Sequence, residues 1–404
     1  MKTRNKKEKL IPELRFPEFK EEWGSTIFKN EFSFIKNNSL SRKDLNYISG
    51  KIKNIHYGDI HKGLNHNLEI NKTLLPYINK DKEKKSGELL NNGDLIIADA
   101  SEDYKDIGKS IEIIDLNNEK VVGGLHTIVA RRKEENDDKG FMGYLMQTWT
   151  VHHQIMRSAN GISVYGIGKE SLSKIQFSLP TLPEQQKISS FLSLIDRKIE
   201  LLNKKKELLE IYKRGVTQKI FNRDIRFKDI NGNNYPEWEE KRLGEICKIT
   251  TGKLDANAMV KDGKYRFYTC AADYFHIDNY DFDTEALIIS GNGANVGYIH
   301  YYKGKFNAYQ RTYVLSNFTD NIHYIKIYLE EYLHKRIDKE KKSGNTPYIV
   351  LNTLKDMIIK IPSQVEEKTI FTIINSLNIK TKYLQNSLFK LQIFKKGLLQ
   401  KMFI

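Results

Sequence analysis

Cysteine is nearly absent from this chain. Two occur in 404 residues, Cys247 and Cys270, and neither has a CxxC context. That excludes a disulfide framework and points to a reducing cytoplasm. No stretch approaches the roughly 18 consecutive apolar residues of a membrane span. The basic N-terminal residues Lys2, Arg4, Lys6, Lys7 and Lys9 are not followed by an apolar segment, so they read as a flexible tail rather than a signal peptide. Catalytic signatures are missing as well. Gly108-Lys109-Ser110 and Gly168-Lys169-Glu170 lack the leading glycine of a phosphate loop. His56, His61 and His66 are five apart, which fits neither a helical pair nor a zinc spacing, and they read as polar loop or strand residues. His152 and His153 read as helix surface. The glycine-rich run Gly291–Gly297 is not GxGxxG and leads into no helical pattern, and no Asn-Pro-Pro-aromatic motif of an adenine methyltransferase occurs. Glu366 and Glu367 stand at a helix start, where carboxylates have a dipole reason to be. No catalytic, metal-ligand or cofactor-loop pattern stands out, and the chain is not expected to be an adenine methyltransferase itself.

Acid is in short supply relative to base. Lys and Arg number 66 against 51 Asp and Glu, a formal net charge of +15. That balance favours a polyanionic partner. Basic and aromatic residues interleave at Lys51, Lys53, His56 and Tyr57; at Arg131, Arg132 and Lys133; at Lys264, Tyr265, Arg266 and Tyr268; and at Gln310 and Arg311. Phosphates are held by Lys and Arg, while base edges are read by Arg, Asn, Gln and short polar side chains on loops. The runs Lys82–Lys85 and Lys339–Lys342 read as solvated charge.

What the chain does have is a long heptad seam, present twice. From Glu184 to Phe221 every seventh residue is apolar: Ile188, Ile195, Leu202, Leu209 and Val216. A second row begins with Leu192 and Ile199. No proline interrupts it, so this is a long helix in need of a partner helix. The row recurs at an offset of 182 as Ile370, Leu377, Leu384, Leu391 and Leu398. The polar breaks Lys206, Lys213, Thr381 and Lys395 favour one register over others.

The globular parts repeat more loosely. Phe16-Pro17-Glu18-Phe19 and Tyr235-Pro236-Glu237-Trp238 each open one. Gly93–Ile97 matches Glu285–Ile289, Gly161–Tyr165 matches Gly344–Tyr348, and the predicted helix Phe141–Arg157 matches Ile322–Arg336. Short strands are predicted at Ile52–Tyr57, Asp94–Ala98, Ile111–Ile114 and His126–Ala130. The expected organisation is a basic tail (1–15), a first globule (16–180), a helix (181–222), a linker (223–234), a second globule (235–361) and a second helix (362–404). The fold class is α+β, with two pseudo-twofold-related α/β globules separated by an antiparallel two-helix coiled coil. About 37 helical residues span roughly 55 Å, or about 16 base pairs of duplex at 3.4 Å each. A linker of about 13 residues cannot reach beyond about 45 Å, so helix two begins near the end of helix one and runs antiparallel to it.

These features resemble the DNA specificity subunit of type I restriction–modification systems. The resemblance rests on the Phe-Pro-Glu-Phe opening, Ile55–Ile60, Gly93–Ala98, the Leu-Pro-x-Leu-Pro-Glu-Gln-Gln-Lys-Ile run at 179–188, Asp196–Ile199 and Arg223–Phe227. Helix two departs from it with Ser363–Lys368. The resemblance implies two target recognition domains, each reading one half of a bipartite asymmetric DNA sequence. It implies helices that set the gap and dock two methyltransferase subunits. S-adenosylmethionine is then expected on those partners, and ATP and magnesium on restriction subunits, not on this chain. Recognition loops vary within the family, so the candidate DNA-binding residues come from residue chemistry. They are His56, Tyr57, Asp59, Ser163 and Tyr165 in the first globule, and Asn292, Asn295, Gln310, Arg311, Asn345 and Thr346 in the second. The rival readings are a stand-alone DNA-modifying enzyme and a general nucleic-acid scaffold. The seam carries a test of its own. Leu202→Asp or Leu384→Asp buries an unpaired charge and is expected to cost several kcal/mol, read as a lower melting temperature.

Overall fold

The structure is a computed structural model that describes residues 10–134, 139–340 and 348–404. It divides into two compact units. The first comprises Met1–Asn203 with Asn386–Ile404, and the second Lys204–Gln385. The two long helices run over Leu182–Phe221 and Gln364–Lys401, so each unit holds the start of one and the end of the other. Among the described residues no helix is long and apolar enough to cross a membrane.

The first unit is built on a five-stranded sheet in the spatial order Phe32–Ile35, Thr127–Arg132, Leu95–Ala98, Ser110–Asp115, Asn67–Glu69. Only the last pair is parallel. Its middle strand, Leu95-Ile96-Ile97-Ala98, is buried on both faces, as a continuous apolar run requires. Leu95 and Ile97 point into the larger core. There they meet Phe141, Tyr144, Ile155, the helix-start residues Ile188, Leu192 and Ile195, and Leu398, Met402 and Phe403 from the end of the second long helix. The helix segments of this unit therefore run antiparallel. Ile96 and Ala98 face the other way, into a core shared with Ile55, Ile60, Leu75 and Val121. A second layer covers that side. It consists of the small sheet Val121–Gly123, Lys53–Ile55, Tyr77–Ile78, Leu45–Asn46 and the short helix Tyr57–His61.

Two local readings of the sequence need correction. Phe141–Arg157 is two helices, Phe141–Leu145 and Trp149–Ser158. Thr148 breaks the run: its backbone is extended, and its hydroxyl donates to the Leu145 carbonyl at 2.7 Å. A threonine at that point starts a new helix rather than continuing the old one. The predicted strand Ile52–Tyr57 pairs only over Lys53–Ile55. Tyr57 already opens a helix, because the Asp59 carboxylate accepts from the His56 backbone N–H at 3.0 Å and closes a capping box.

The second unit has a six-stranded sheet in the order Lys248–Thr251, Thr312–Ser316, Phe282–Ser290, Ile299–Ala308, Tyr265–Tyr268, Phe275–Ile277. One face carries Leu287, Ile289 and Leu315 against the helix Ile322–Glu340, together with Ile220 and Phe221 from the end of the first long helix and Ile370 and Ile374 from the start of the second. The opposite face bears a small cluster of Tyr268, Ala286, Ile288, Phe306, Ala308 and Val314, to which no described helical residue belongs.

The polar positions in the heptad rows are occupied within their units. Lys395 Nζ lies 2.5 Å from Asp196 Oδ1, and the Tyr144 hydroxyl donates to Asp196 Oδ2 at 2.8 Å. Burial works against this carboxylate's charge, but the hydrogen bonds from His66 and Lys395 hold its pKa at about 2. Lys213 donates to Asn378 Oδ1 at 3.0 Å. Lys206 reaches only Glu210 on its own helix, at 3.8 Å, and the Thr381 hydroxyl donates to the Leu377 carbonyl.

The two helix starts differ at one buried position. Gln185 donates to the Pro180 carbonyl at 2.8 Å. Its counterpart 182 residues on is Glu367, whose Oε1 has no partner among the described residues and whose Oε2 receives one long bond, 3.4 Å, from the Asn321 N–H. Burial pushes this carboxyl up from 4.5 to about 7. A raised folded-state pKa gives stability that is complete below the unfolded value and is lost as pH rises through the folded one. Melting temperature is therefore expected to fall between about pH 4.5 and pH 7. Glu367→Gln is expected to flatten that dependence and to stabilise the protein above pH 7 by ~1–3 kcal/mol, checked by thermal melts across the range.

Candidate nucleic-acid interface

In the first unit the short helix Tyr57–His61, the turn before Thr127 and the ribbon at Ala100–Ser101 meet on one side. His126 takes a left-handed φ of 54° at the turn, which leaves its ring half exposed. That ring lies 5.2 Å from Tyr57, and its Nδ1 is 3.2 Å from Asp99 Oδ1. His61 Nε2 is 2.9 Å from the Ala100 carbonyl and tethers the helix to the ribbon. Tyr165 pairs with Ser101 across the ribbon, and its ring rests 5.1 Å from Tyr104. The loop between Asn160 and Gly166 carries Ser163 in the open, flanked by the exposed Ile162 and Val164. Beside it a cleft of about 640 Å³ is lined by Lys36, Asn37, Lys84, Lys85, Asp99 and His126. Cationic, amide and aromatic groups thus converge on one concave surface, the combination that grips phosphates and base edges.

The sequence-derived candidates take different places on this surface. Tyr57 packs against His126, Tyr165 pairs on the ribbon, and Ser163 stands exposed in the loop that leads to it. His56 is buried, and its Nδ1 accepts from the Gly58 N–H. Burial, assisted by the Arg42 charge, lowers its pKa to about 4, so the ring is neutral near pH 7 and fixes the helix start. Asp59 caps the same helix and pairs with Arg42 at 2.5 Å. Asp99 and Tyr104 have no mark in the sequence, while His61 reads there only as a polar loop or strand residue and His126 only as the start of a strand. The signal available was the turn Gly123-Gly124-Leu125-His126 ahead of a strand.

In the second unit several loops gather at one end of the sheet. The Gly291 N–H donates to the Arg311 carbonyl at 2.9 Å. A Cβ at Gly291 would sit 2.3 Å from that oxygen, so only glycine fits. Asn292 bridges to Tyr348. Asn295 Nδ2 donates to the Cys270 carbonyl at 3.2 Å, and Cys270 Sγ lies 3.3 Å from the Arg311 carbonyl. Gln310 is held by its N–H on Leu254 O and its amide on Asp255 Oδ1, at 2.9 and 2.7 Å. Asn292, Asn295, Gln310 and Arg311 are thus brought together on one rim, with the Arg311 side chain exposed. Asn345 and Thr346 lie outside the described residues.

A family model described as "Type I restriction modification DNA specificity domain" matches residues 21–211 and again 235–391. The chain belongs to that family. Its similarity to the type I restriction enzyme EcoDI specificity subunit of Escherichia coli is 39% identity over 134 residues, 33% of this chain and 30% of that one. With the MjaIX specificity subunit of Methanocaldococcus jannaschii it shares 24% identity over 253 residues, 55% of this chain and 59% of that one. The chain thus spans between about a third and three fifths of the length of these two relatives. A crystal structure of a type I restriction–modification S subunit from M. genitalium superimposes with a TM-score of 0.63 at 18% identity, over 98% of this chain and 99% of that one. The whole fold is that of a specificity-domain chain.

Several basic residues that interleave with aromatics in this family member are engaged by neighbouring groups of the protein itself. Lys53 is buried against Glu119 at 3.0 Å. Lys133 donates to the Lys29 carbonyl. The Arg131 guanidinium bonds both oxygens of the buried Asp94, at 3.0 and 2.8 Å, and Glu88 at 2.7 Å. Arg131→Ala is therefore expected to act on stability, by about 2–3 kcal/mol, because Asp94 is left buried and unpaired. A fall in melting temperature without a change in the bases recognised is the outcome to look for.

Proposed function

We propose that this chain is the non-catalytic DNA-sequence specificity subunit of a type I restriction–modification complex in the cytoplasm. Residues 16–180 and 235–361 act as target recognition domains, each reading one half of a bipartite asymmetric duplex target. The two long helices set the gap between the halves and dock two methyltransferase subunits, which carry S-adenosylmethionine. Restriction subunits, with ATP and magnesium, join through the complex. The observation that carries this reading is the duplication. Each unit couples one globule with its own loop rim to paired pieces of both long helices.

Exposed apolar residues on those helix pieces support the docking role. In the first unit Leu194, Leu201, Phe389, Ile393 and Phe394 are all more than half exposed. In the second the same is true of Leu208, Ile211, Tyr212, Ile379 and Tyr383. Solvated helix faces seldom hold this much bare apolar surface without a partner. One such surface per unit suits two copies of one kind of partner.

The test is an exchange. Residues 235–361 are replaced by the corresponding domain of another specificity subunit, and methylated sites are mapped with the methyltransferase subunits present. One half of the recognised sequence is expected to change while the other half stays. A change in both halves, or in neither, contradicts one domain reading one half.

A further inference from the structure

The two globules treat the same sheet face differently. In the first unit the face bearing Ile96 and Ala98 lies under the second layer of strands and the helix Tyr57–His61. The matching strand of the second unit puts Ile288 on a face that no described helix covers. Aromatic side chains and one arginine roof it instead. Arg266 lies on the strand Tyr265–Tyr268, two residues before the buried Tyr268 and so on the same face. Its guanidinium carbon stands 4.2 Å from the Tyr274 ring centroid and 4.4 Å from that of Tyr302.

This clamp differs from the settings of several other arginines. Arg15, Arg42, Arg131 and Arg223 each pair with a carboxylate. Arg266 has no ion pair among the described residues, and one of its N–H groups reaches the Tyr268 hydroxyl at 3.3 Å. An arginine carries five N–H donors, so one bond of this kind leaves most of them unused. Two flanking rings hold the guanidinium plane and take up its rotamer freedom before any ligand arrives, while its edges stay free. The surroundings are those of the candidate interface. His300 packs 5.0 Å from Tyr268 and 4.7 Å from the exposed Tyr298, and its Nε2 is 3.0 Å from the Ala271 carbonyl. The next residue back, Cys270, receives Asn295.

A planar donor fork fits the O6 and N7 acceptors of guanine in the major groove, the commonest base-specific contact an arginine makes. The same fork can pair bidentately with a phosphate, which carries no base identity, but the amides and rings gathered around Arg266 are groups of the kind that read bases. Resting on the specificity-subunit reading above, we propose that Arg266, clamped between Tyr274 and Tyr302 on the helix-free face of the second sheet, reads a guanine in the half-site bound by residues 235–361.

The experiment uses the full chain assembled with its methyltransferase subunits. Binding is measured to the native target duplex and to a set in which each base pair of that half-site is replaced in turn. Arg266→Ala is expected to weaken native-target binding about ten- to a hundredfold and to abolish discrimination at a single G·C pair. Discrimination elsewhere in both halves is expected to stay. Arg266→Lys is expected not to restore it, since an ammonium lacks the planar fork. Arg266→Gln, a second variant in case alanine loosens the sheet, is expected to move the preference at that pair from G·C toward A·T. A uniform loss over all sequences, with the salt slope smaller by about one, overturns the proposal in favour of a phosphate contact. Unchanged discrimination in the alanine and glutamine variants overturns it in favour of a purely structural stack. If the wild-type complex itself prefers no sequence, the specificity-subunit reading falls and this inference falls with it. If the wild type is specific and the variants are unchanged, only the role of Arg266 is lost.

Discussion

Both globules close their hydrophobic cores over helix ends that are not their own alone. The larger core of the first unit includes Ile188, Leu192 and Ile195 from the start of one long helix and Leu398, Met402 and Phe403 from the end of the other. The core beneath the second sheet includes Ile220 and Phe221 with Ile370 and Ile374 in the reverse roles. Burying each of these side chains is worth about 1.5–3 kcal/mol, so neither core is complete without both helices. A globule built this way cannot drift along its helix. That constraint suits the proposed spacer role, and it accounts for helices that repeat more faithfully than the globules. The core-facing helix positions have one solution, while the loops are free to vary.

Charge is divided along the same line. Carboxylates buried near the helix starts and sheet edges take arginines out of circulation: Glu184 holds Arg15 in a two-bond pair, and Asp94 holds Arg131. What remains at the loop rims is a mixture of lysine, histidine, amides and tyrosine, with Arg266 and Arg311 in the second unit. Formal charge along the sequence therefore overstates the basic surface in some places and misplaces it in others. The two globules also reach their rims by different construction. The first adds a layer of strands and a short helix over its sheet, and the second leaves that face to tyrosines, histidine and Arg266.

The long helices and their repeat were legible because a seven-residue apolar period is local information. Leu95–Ala98 and Ala286–Ile289 were legible as strands for the same reason. Non-local facts were not. The partner of Arg131 lies 37 residues away, so its cluster looked free to meet DNA. Apolar periodicity ran straight through Thr148, and only the hydroxyl bond to Leu145 shows that the helix breaks there. His56 and Asp59 read as polar groups available to a ligand, whereas a capping box occupies much of their bonding capacity. Tyr57, Ser163, Tyr165, Asn292, Asn295, Gln310 and Arg311 stand out in the sequence by residue type beside turns, and turns are where the rims form. His126 has the same chemistry but stands at a left-handed turn position that its residue type does not announce.

The central proposal is that each of the two globules reads its own half of one DNA target. The most direct measurement is the set of methylated adenines in a genome that carries this chain with its partner subunits. A two-part asymmetric sequence with a constant, unspecified gap is the expected result. A single uninterrupted motif, or two halves separated by a variable gap, would contradict it.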